Sequence, residues 1–364
     1  MRIALRELIR RPGRFLMVGG ALVLLVVLLV VLGGFLDGLT LSQTGAYRAQ
    51  GERLWVLSQD SELQLPRSRL SAEVVEQVTA VDGVSETGGI AAVSTTTSLP
   101  GSDELADVVV YGYELASDVL PTPPAAGSAV VDRRLATLAD VREGDTLAVG
   151  PDATPLRVAG FVEDTTQSVP TLWVEMGTWR ELATVANPAG ALPDGAVQAL
   201  VVTPAAETDP EDLAARIDAA TGATSTVDLD SLIDGQPSVA QQASTFQGII
   251  SVTFVVTLLV VALFFALLTL ERTPLYAVLK ALGGRSSDLV RGLTAQALGI
   301  SAGALVVGVA LALAAVALLP SDLPVRVTGG RLAIIALGTL ATAVVGALFT
   351  LRRILRIDPA DAIG

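Results

Sequence analysis

Side chains able to do chemistry are scarce in this chain, and one of them is solitary. There is no histidine and no cysteine in 364 residues, and of 24 lysines and arginines together only Lys280 is a lysine. The lack of Cys removes disulfides, thiolate nucleophiles and Cys-type zinc sites. The lack of His removes the usual general base and the commonest metal ligand, so no metal site is expected. Catalysis would fall to carboxylates, and none stands in a recognisable constellation. A P-loop needs Gly-Lys-Ser/Thr, whereas Lys280 lies between Leu279 and Ala281, so the chain cannot itself be a P-loop ATPase.

Lys280 sits in "ERTPLYAVLKALGGRSSDL" (271–289), between two long apolar runs. Leu275, Val278, Leu279 and Leu282 fall at helical spacing, with Arg272, Lys280 and Arg285 pointing elsewhere. Gly283 and Gly284 stop this helix, and Ser286 or Ser287 can cap the next. Such a segment is either an interfacial re-entry helix or a docking helix for a soluble partner.

The elements that must position it are membrane spans. The chain is 51% hydrophobic with mean hydropathy +0.60, outside the range of ordinary soluble domains. Four runs reach roughly 20 apolar residues, the length a bilayer crossing needs. They divide the chain into a cytoplasmic amphipathic helix (1–14), span one (15–36), a large domain (37–245), span two (246–270), the cytoplasmic segment 271–291, span three (292–319), a short exterior loop (320–331), span four (332–351) and a cytoplasmic tail (352–364). The first run is too long for a signal h-region and lacks a small-residue cleavage site, so a retained anchor is expected. The first eleven residues, "MRIALRELIRR", form an interfacial helix or simply a charged flank.

Charge sets the topology. Five arginines precede span one, and Arg272, Lys280, Arg285 and Arg291 lie between spans two and three; Arg352, Arg353 and Arg356 follow span four. These segments are cytoplasmic by the positive-inside rule. The 37–245 segment carries 31 acidic residues against 10 basic and is expected outside the cell or in a periplasm. The chain is therefore expected in the cell membrane, multi-pass, with both termini inside.

The expected fold class is an α-helical membrane protein with four transmembrane helices and an α+β extracytoplasmic domain inserted between helices 1 and 2. Within that domain, "LWVLS", "SAEVVEQVTAV" and "IAAVSTTTSL" read as strand, helix, strand. So do "VQALVVT", "DPEDLAARIDAATG" and "TSTVDL", with Asp209 as helix cap, Pro210 in the first turn and Gly222 at the C-terminal left-handed position. The intervening 129–165 reads as a small β-rich insertion broken by turns. Stretches near the membrane, 42–54 and 238–250, extend spans one and two as helical stalks, the second bounded by Gly235 and Pro237. Gly299-x-x-x-Gly303 in span three permits close helix packing.

The order of one span, a large domain and three spans, the helix "LYAVLKALGG" after span two and the tail "RRILRIDPADAI" together resemble the MacB/FtsX-like permease subunits of ABC transporters. The stretches "FFALLTLERTPLYAVLKALGG" and "VDRRLATLADVREGDTLAVG" resemble the haem-exporter (HrtB-like) and DevC-like branch. "LKALGG", where many members have a final Ala, and the acidic, alanine-rich domain depart from the family pattern.

The resemblance implies a non-catalytic permease that forms a homodimer and binds two copies of a cytoplasmic ABC ATPase. ATP and Mg would belong to that partner, with no cofactor in this chain. The contact would be a coupling helix whose ATPase-docking residues are Arg272, Leu275, Val278, Leu279, Lys280, Leu282, Gly283, Gly284 and Arg285. The terminal "RRILRIDPADAIG" supports the same contact or is a plain stop-transfer flank. The resemblance also implies mechanotransmission, in which ATPase closure moves the long first and second helices. A lateral substrate entrance between spans one and two would be lined by Phe35, Asp37, Tyr47, Gln242, Phe246 and Gln247, each of which has packing or stalk capping as its alternative. Haem or another hydrophobic amphiphile is the expected export substrate, and Tyr47 is the first candidate for haem ligation, since His and Cys are absent. Membrane lipid is an expected contact and nucleic acid is not. The alternatives are an FtsX-like regulator of an exterior cell-wall hydrolase and a lipoprotein- or glycolipid-handling permease.

Overall fold

The computed structural model describes residues 12–100, 104–271, 286–320 and 323–355. The nine ATPase-docking residues from Arg272 to Arg285, the first eleven residues and the tail from Arg356 lie outside the described residues. The described chain divides into two units, one of residues 1–39 and 242–364 and one of Thr40–Gln241.

In the first unit lie long helices: α1 (Pro12–Arg48, which continues into the second unit), α7 (Pro237–Glu271, which begins there), α8 (Ser286–Ala317) and α9 (Gly329–Leu355). All four are long and apolar enough to cross a membrane. At 1.5 Å per residue the 37 residues of α1 span roughly 55 Å, well beyond the ~30 Å of a bilayer core. Leu22, Val261, Phe265, Leu293, Ala297, Ile300 and Ala347 form one packed cluster, and Val26, Leu29, Val30, Ile250, Ala312 and Ile335 another. Leu259, Leu263, Val306 and Leu337 remain exposed, which suits lipid-facing positions. Glycines that admit neighbours include Gly308, Gly338 and Gly346, where a methyl group would meet Val26, Phe254 and Val261. At Gly299 and Gly303, expected to serve close packing, an added methyl group would meet no atom of the described chain within 4 Å.

The second unit is built on a nine-stranded mixed sheet. Its elements in chain order are β1 (Leu54–Ser58), α2 (Ala72–Thr79), β2 (Val84–Ser98), β3 (Leu105–Tyr113), β4 (Ser128–Asp132), α3 (Arg133–Ala139), β5 (Thr146–Val149), β6 (Thr154–Val162), β7 (Thr171–Glu175), α4 (Met176–Ala186), β8 (Ala199–Pro204), α5 (Pro210–Thr221), β9 (Thr224–Val227) and α6 (Leu229–Asp234). One part has the order β2-β8-β1-β9. Because β8 runs antiparallel to both β1 and β2, β1-α2-β2 and β8-α5-β9 are interlocked split β-α-β pieces. The other part closes on itself through β2-β3-β7-β4-β6-β5, the last contact back to β2 being Thr97 against Val149. The 15-residue β2 belongs to both parts: residues from Val84 to Ile90 pair with β8, and those from Ile90 to Ser98 pair with β3.

Strand alternation explains the packing, since successive side chains point to opposite faces. Leu54 and Val56 of β1 enter one core with Leu200 and Val202 of β8, while Trp55 and Leu57 enter the other with Ala199 and Val201. The first core is covered by Val78 of α2, Trp179 and Leu182 of α4, and Leu213 and Ile217 of α5. The helix caps are local: Asp209 accepts the N–H groups of Glu211 and Asp212, and Gly222 closes α5 at φ +62°. The α3 and α4 helices lie where sequence patterning marks only β-type runs or no element. Asp132 caps α3 by accepting the Arg134 N–H, and Glu175 caps α4 by accepting that of Thr178.

Replacing Asp209 by Ala removes both acceptor bonds at the start of α5. A cap of this kind is worth about 1 kcal/mol. The expected outcome is a lower melting temperature of the full chain in detergent, with Asp209→Asn, which keeps an acceptor oxygen, staying close to the parent; equal losses for both variants would contradict the capping role.

Candidate functional site

Asp37 lies on α1 two residues beyond Phe35, where an apolar run ends. Both carboxylate oxygens are met from the other end of the sequence. The Arg331 guanidinium donates to Oδ1 through Nε at 3.1 Å and again through Nη2, and the Thr328 hydroxyl donates to Oδ2 at 2.7 Å. Thr328 is also the cap of α9, since its Oγ1 accepts the Arg331 N–H and its carbonyl accepts that of Leu332. The side chains of Asp37 and Arg331 are 14% and 21% exposed. The ion pairs Arg67–Glu62, Arg133–Glu163 and Arg142–Asp140 are each at least half exposed on both sides, which leaves them little stabilising value.

Glycines bring the chain this close. The stem of Arg331 lies over Gly33, the N–H of Arg326 donates to the carbonyl of Gly34 at 2.8 Å, and a methyl group at Gly38 would overlap the carbonyl of Pro324. Beside this seat, Phe35 and Phe246 of α7 are in tilted ring contact, centroids 5.7 Å apart. The expected substrate residues of this unit therefore have different settings. Phe35 and Phe246 meet, Asp37 is engaged by Arg331 and Thr328, and Gln242 is half-buried on α7. Gln247, also on α7, is exposed.

Tyr47 belongs to the second unit and is a core residue there, 2% exposed. Its ring meets Trp55 edge-on, and its hydroxyl accepts from Nε2 of Gln167 at 3.0 Å. The same Gln167 accepts the Tyr111 hydroxyl through Oε1, and Tyr111 stacks on Trp173. The loop carrying Gln167 is held against the end of α1. The Ser168 N–H donates to the Ser42 carbonyl at 2.7 Å, and a side chain at Gly45 would collide with the carbonyls of Asp164 and Thr166. Asp164 and Ser168 reach this path with φ of 56° and 65°, which costs conformational energy that the contacts must offset. A phenol so enclosed and bonded is not presented to a haem iron in this arrangement. Burial raises the Tyr111 phenol well above its ordinary range, with Tyr47 adding to the effect, and burial pushes Tyr113 up to about 12.

Sequence reasoning selected Asp37 and missed Arg331, Thr328, Gly38 and Gln167. A usable signal existed: Gly34-x-x-x-Gly38 is a small-residue repeat, and an isolated Asp ending one apolar run faces an isolated Arg opening another. Gln167 carried no such signal, since its two partners are 120 and 56 residues away.

Residues 248–359 match the family model of the FtsX-like permease C-terminal domain. The putative hemin transport system permease protein HrtB of Staphylococcus haemolyticus (strain JCSC1435) is 29% identical over 115 residues, covering 30% of this chain and 32% of that protein. The chain thus spans about a third of that relative's length. The extracellular domain of the noncanonic ABC-type transporter YknZ from Gram-positive bacteria is similar at 14% identity and TM-score 0.34, over 48% of this chain and 98% of that one. The periplasmic region of MacB from Actinobacillus actinomycetemcomitans gives 12% and 0.36, over 51% and 92%. The four apolar helices are long and apolar enough to cross a membrane, and three of them overlap the segment that is similar to the FtsX-like permease C-terminal domain. The C-terminal segment of the chain is thus similar to the FtsX-like permease C-terminal domain and, in part, to the HrtB protein.

Two outcomes are expected from the second unit. Gln167→Ala leaves the Tyr47 and Tyr111 hydroxyls without their partner and costs about 1–3 kcal/mol, read as a lower melting temperature. An unchanged melting temperature would contradict the bridge. Because the raised values favour the neutral phenols, the stability they contribute is full below the unfolded value near pH 10 and is lost as pH rises through the folded values. Tyrosinate absorbance of Tyr111 and Tyr113 should therefore appear in the folded chain only well above pH 10; reversible ionisation of every tyrosine near pH 10 in the folded chain would contradict the burial.

Proposed function

We propose that the chain is the permease subunit of an ABC transporter, a non-catalytic membrane subunit that couples ATP hydrolysis on a separate cytoplasmic ATPase to movement of its helices and its 37–245 domain. The observation that carries this reading is the FtsX-like permease segment 248–359 coinciding with three of the four long apolar helices. The domain lies outside and both termini lie in the cytoplasm, as the arginine distribution favours. Two permeases associate and bind two ATPases. The amphipathic 271–291 segment is the docking element, with Leu275, Val278, Leu279 and Leu282 in a groove of the ATPase and Arg272, Lys280 and Arg285 orienting it.

The exported substrate is haem or another hydrophobic amphiphile taken from the membrane. Support for haem is the HrtB relative, whose name carries hemin. Entry is between α1 and α7, where an aromatic contact between Phe35 and Phe246 bridges the two helices and Gln242 and Gln247 follow on α7. Recognition there is by apolar area more than by axial ligation, given the absence of His and Cys and the enclosure of Tyr47.

Purification of the chain from its own membranes should bring down an ABC ATPase. Leu279→Asp should abolish that co-purification while the permease still inserts, because buried apolar anchors dominate such a contact. Retained co-purification would put the docking face elsewhere, and no ATPase with the parent chain would remove the transporter reading.

A further inference from the structure

We propose that Asp37, Thr328 and Arg331 form a lock that holds the turn between α8 and α9 on α1, so that α1 and this hairpin behave as one body and Asp37 is a positioning residue, not a substrate contact. Both Asp37 oxygens are occupied, one by two guanidinium nitrogens and the other by the residue that caps α9. An arginine fork fixes direction as well as distance, and charge-assisted bonds are stronger than neutral ones. Further along the turn the Arg326 N–H reaches the Gly34 carbonyl, and the backbone at Pro324 rests on Gly38. The seat therefore combines a charge pair, a backbone hydrogen bond and a steric fit, spread over one turn of α1 from Gly34 to Gly38. The contact of α1 with α7 at the same level is of another kind, a tilted pair of phenyl rings. Such a pair is non-directional beside a guanidinium fork, and it separates without stranding a buried charge.

The lock stands on these contacts alone. Its consequence, that a substrate path along α1 opens on the α7 side while the α9 side stays closed, rests on the permease reading above. Loss of that reading would leave the exchange behaviour described next unchanged, so the two can fail separately.

The test is hydrogen exchange at the Arg326 amide in the full chain in lipid nanodiscs. The lock predicts slow exchange at Arg326, accelerated about tenfold or more in Asp37→Asn, the factor that loss of one charge-assisted bond implies. Exchange in the strands of the second unit should stay unchanged. Gly38→Val, which displaces the turn sterically and leaves every charge in place, should accelerate the same amide. Asp37→Arg with Arg331→Asp should return part of the protection that either single reversal removes. If Asp37→Asn does not insert, Thr328→Val removes the Oδ2 donor alone and should give the same local acceleration. Unchanged exchange at Arg326 in these variants, or acceleration equal to that of the whole chain, would overturn the proposal.

Discussion

A carboxylate among apolar helices is tolerated only when each oxygen has a donor, and Asp37 meets that condition with Arg331 and Thr328. The arrangement depends on glycine, because no side chain fits between α1 and the turn at Gly38. It also depends on α9 beginning where it does, since the residue that donates to Asp37 is the one that caps that helix. Helix start, turn path and ion pair are thus one feature. Among the described residues of this unit, apolar side chains and glycines such as Gly308 and Gly346 also bring helices together, and such contacts fix distance more than direction.

In the second unit the corresponding constraint is β2. A strand of 15 residues changes partner near Ile90, from β8 to β3, and thereby joins a split β-α-β layer to a closed circuit of strands. Both faces must then be apolar along its middle, and Ile90 and Ala92 feed one core while Ala91 and Val93 feed the other. Several polar side chains inside this fold are tied to specific partners. Asp132 accepts from Thr166, Gln198 bridges both backbone groups of Ala92, and Gln167 joins two phenols.

Local signals were legible in the sequence and long-range ones were not. Asp209, Pro210 and Gly222 announce α5 because capping chemistry lies within a few residues of the helix it serves. Pro237 opens α7 for the same reason. The four apolar runs are visible because lipid imposes a length on them. The α4 helix is hidden behind a short amphipathic pattern, and closure of the circuit through Thr97 and Val149 has no local signature. Among the site candidates, Phe35 and Phe246 were chosen for their places on adjacent spans and do meet. Asp37 was placed in the same entrance, but what its charge serves depends on Arg331, 294 residues away. Tyr47 is the sharper lesson: packing was the stated alternative to an entrance role, but the Trp55 ring and Gln167 that enclose it lie outside its own helix, Gln167 120 residues away.

In the proposed function, the chain transmits the work of a partner ATPase to a hydrophobic substrate. The most direct test is ATP turnover by the reconstituted permease and ATPase in nanodiscs, titrated separately with haem, a lipid amphiphile and a peptide. The account predicts that the permease is needed for regulated turnover and that haem or another hydrophobic amphiphile changes the rate. Turnover indifferent to the permease, or to every hydrophobic amphiphile supplied, would contradict it.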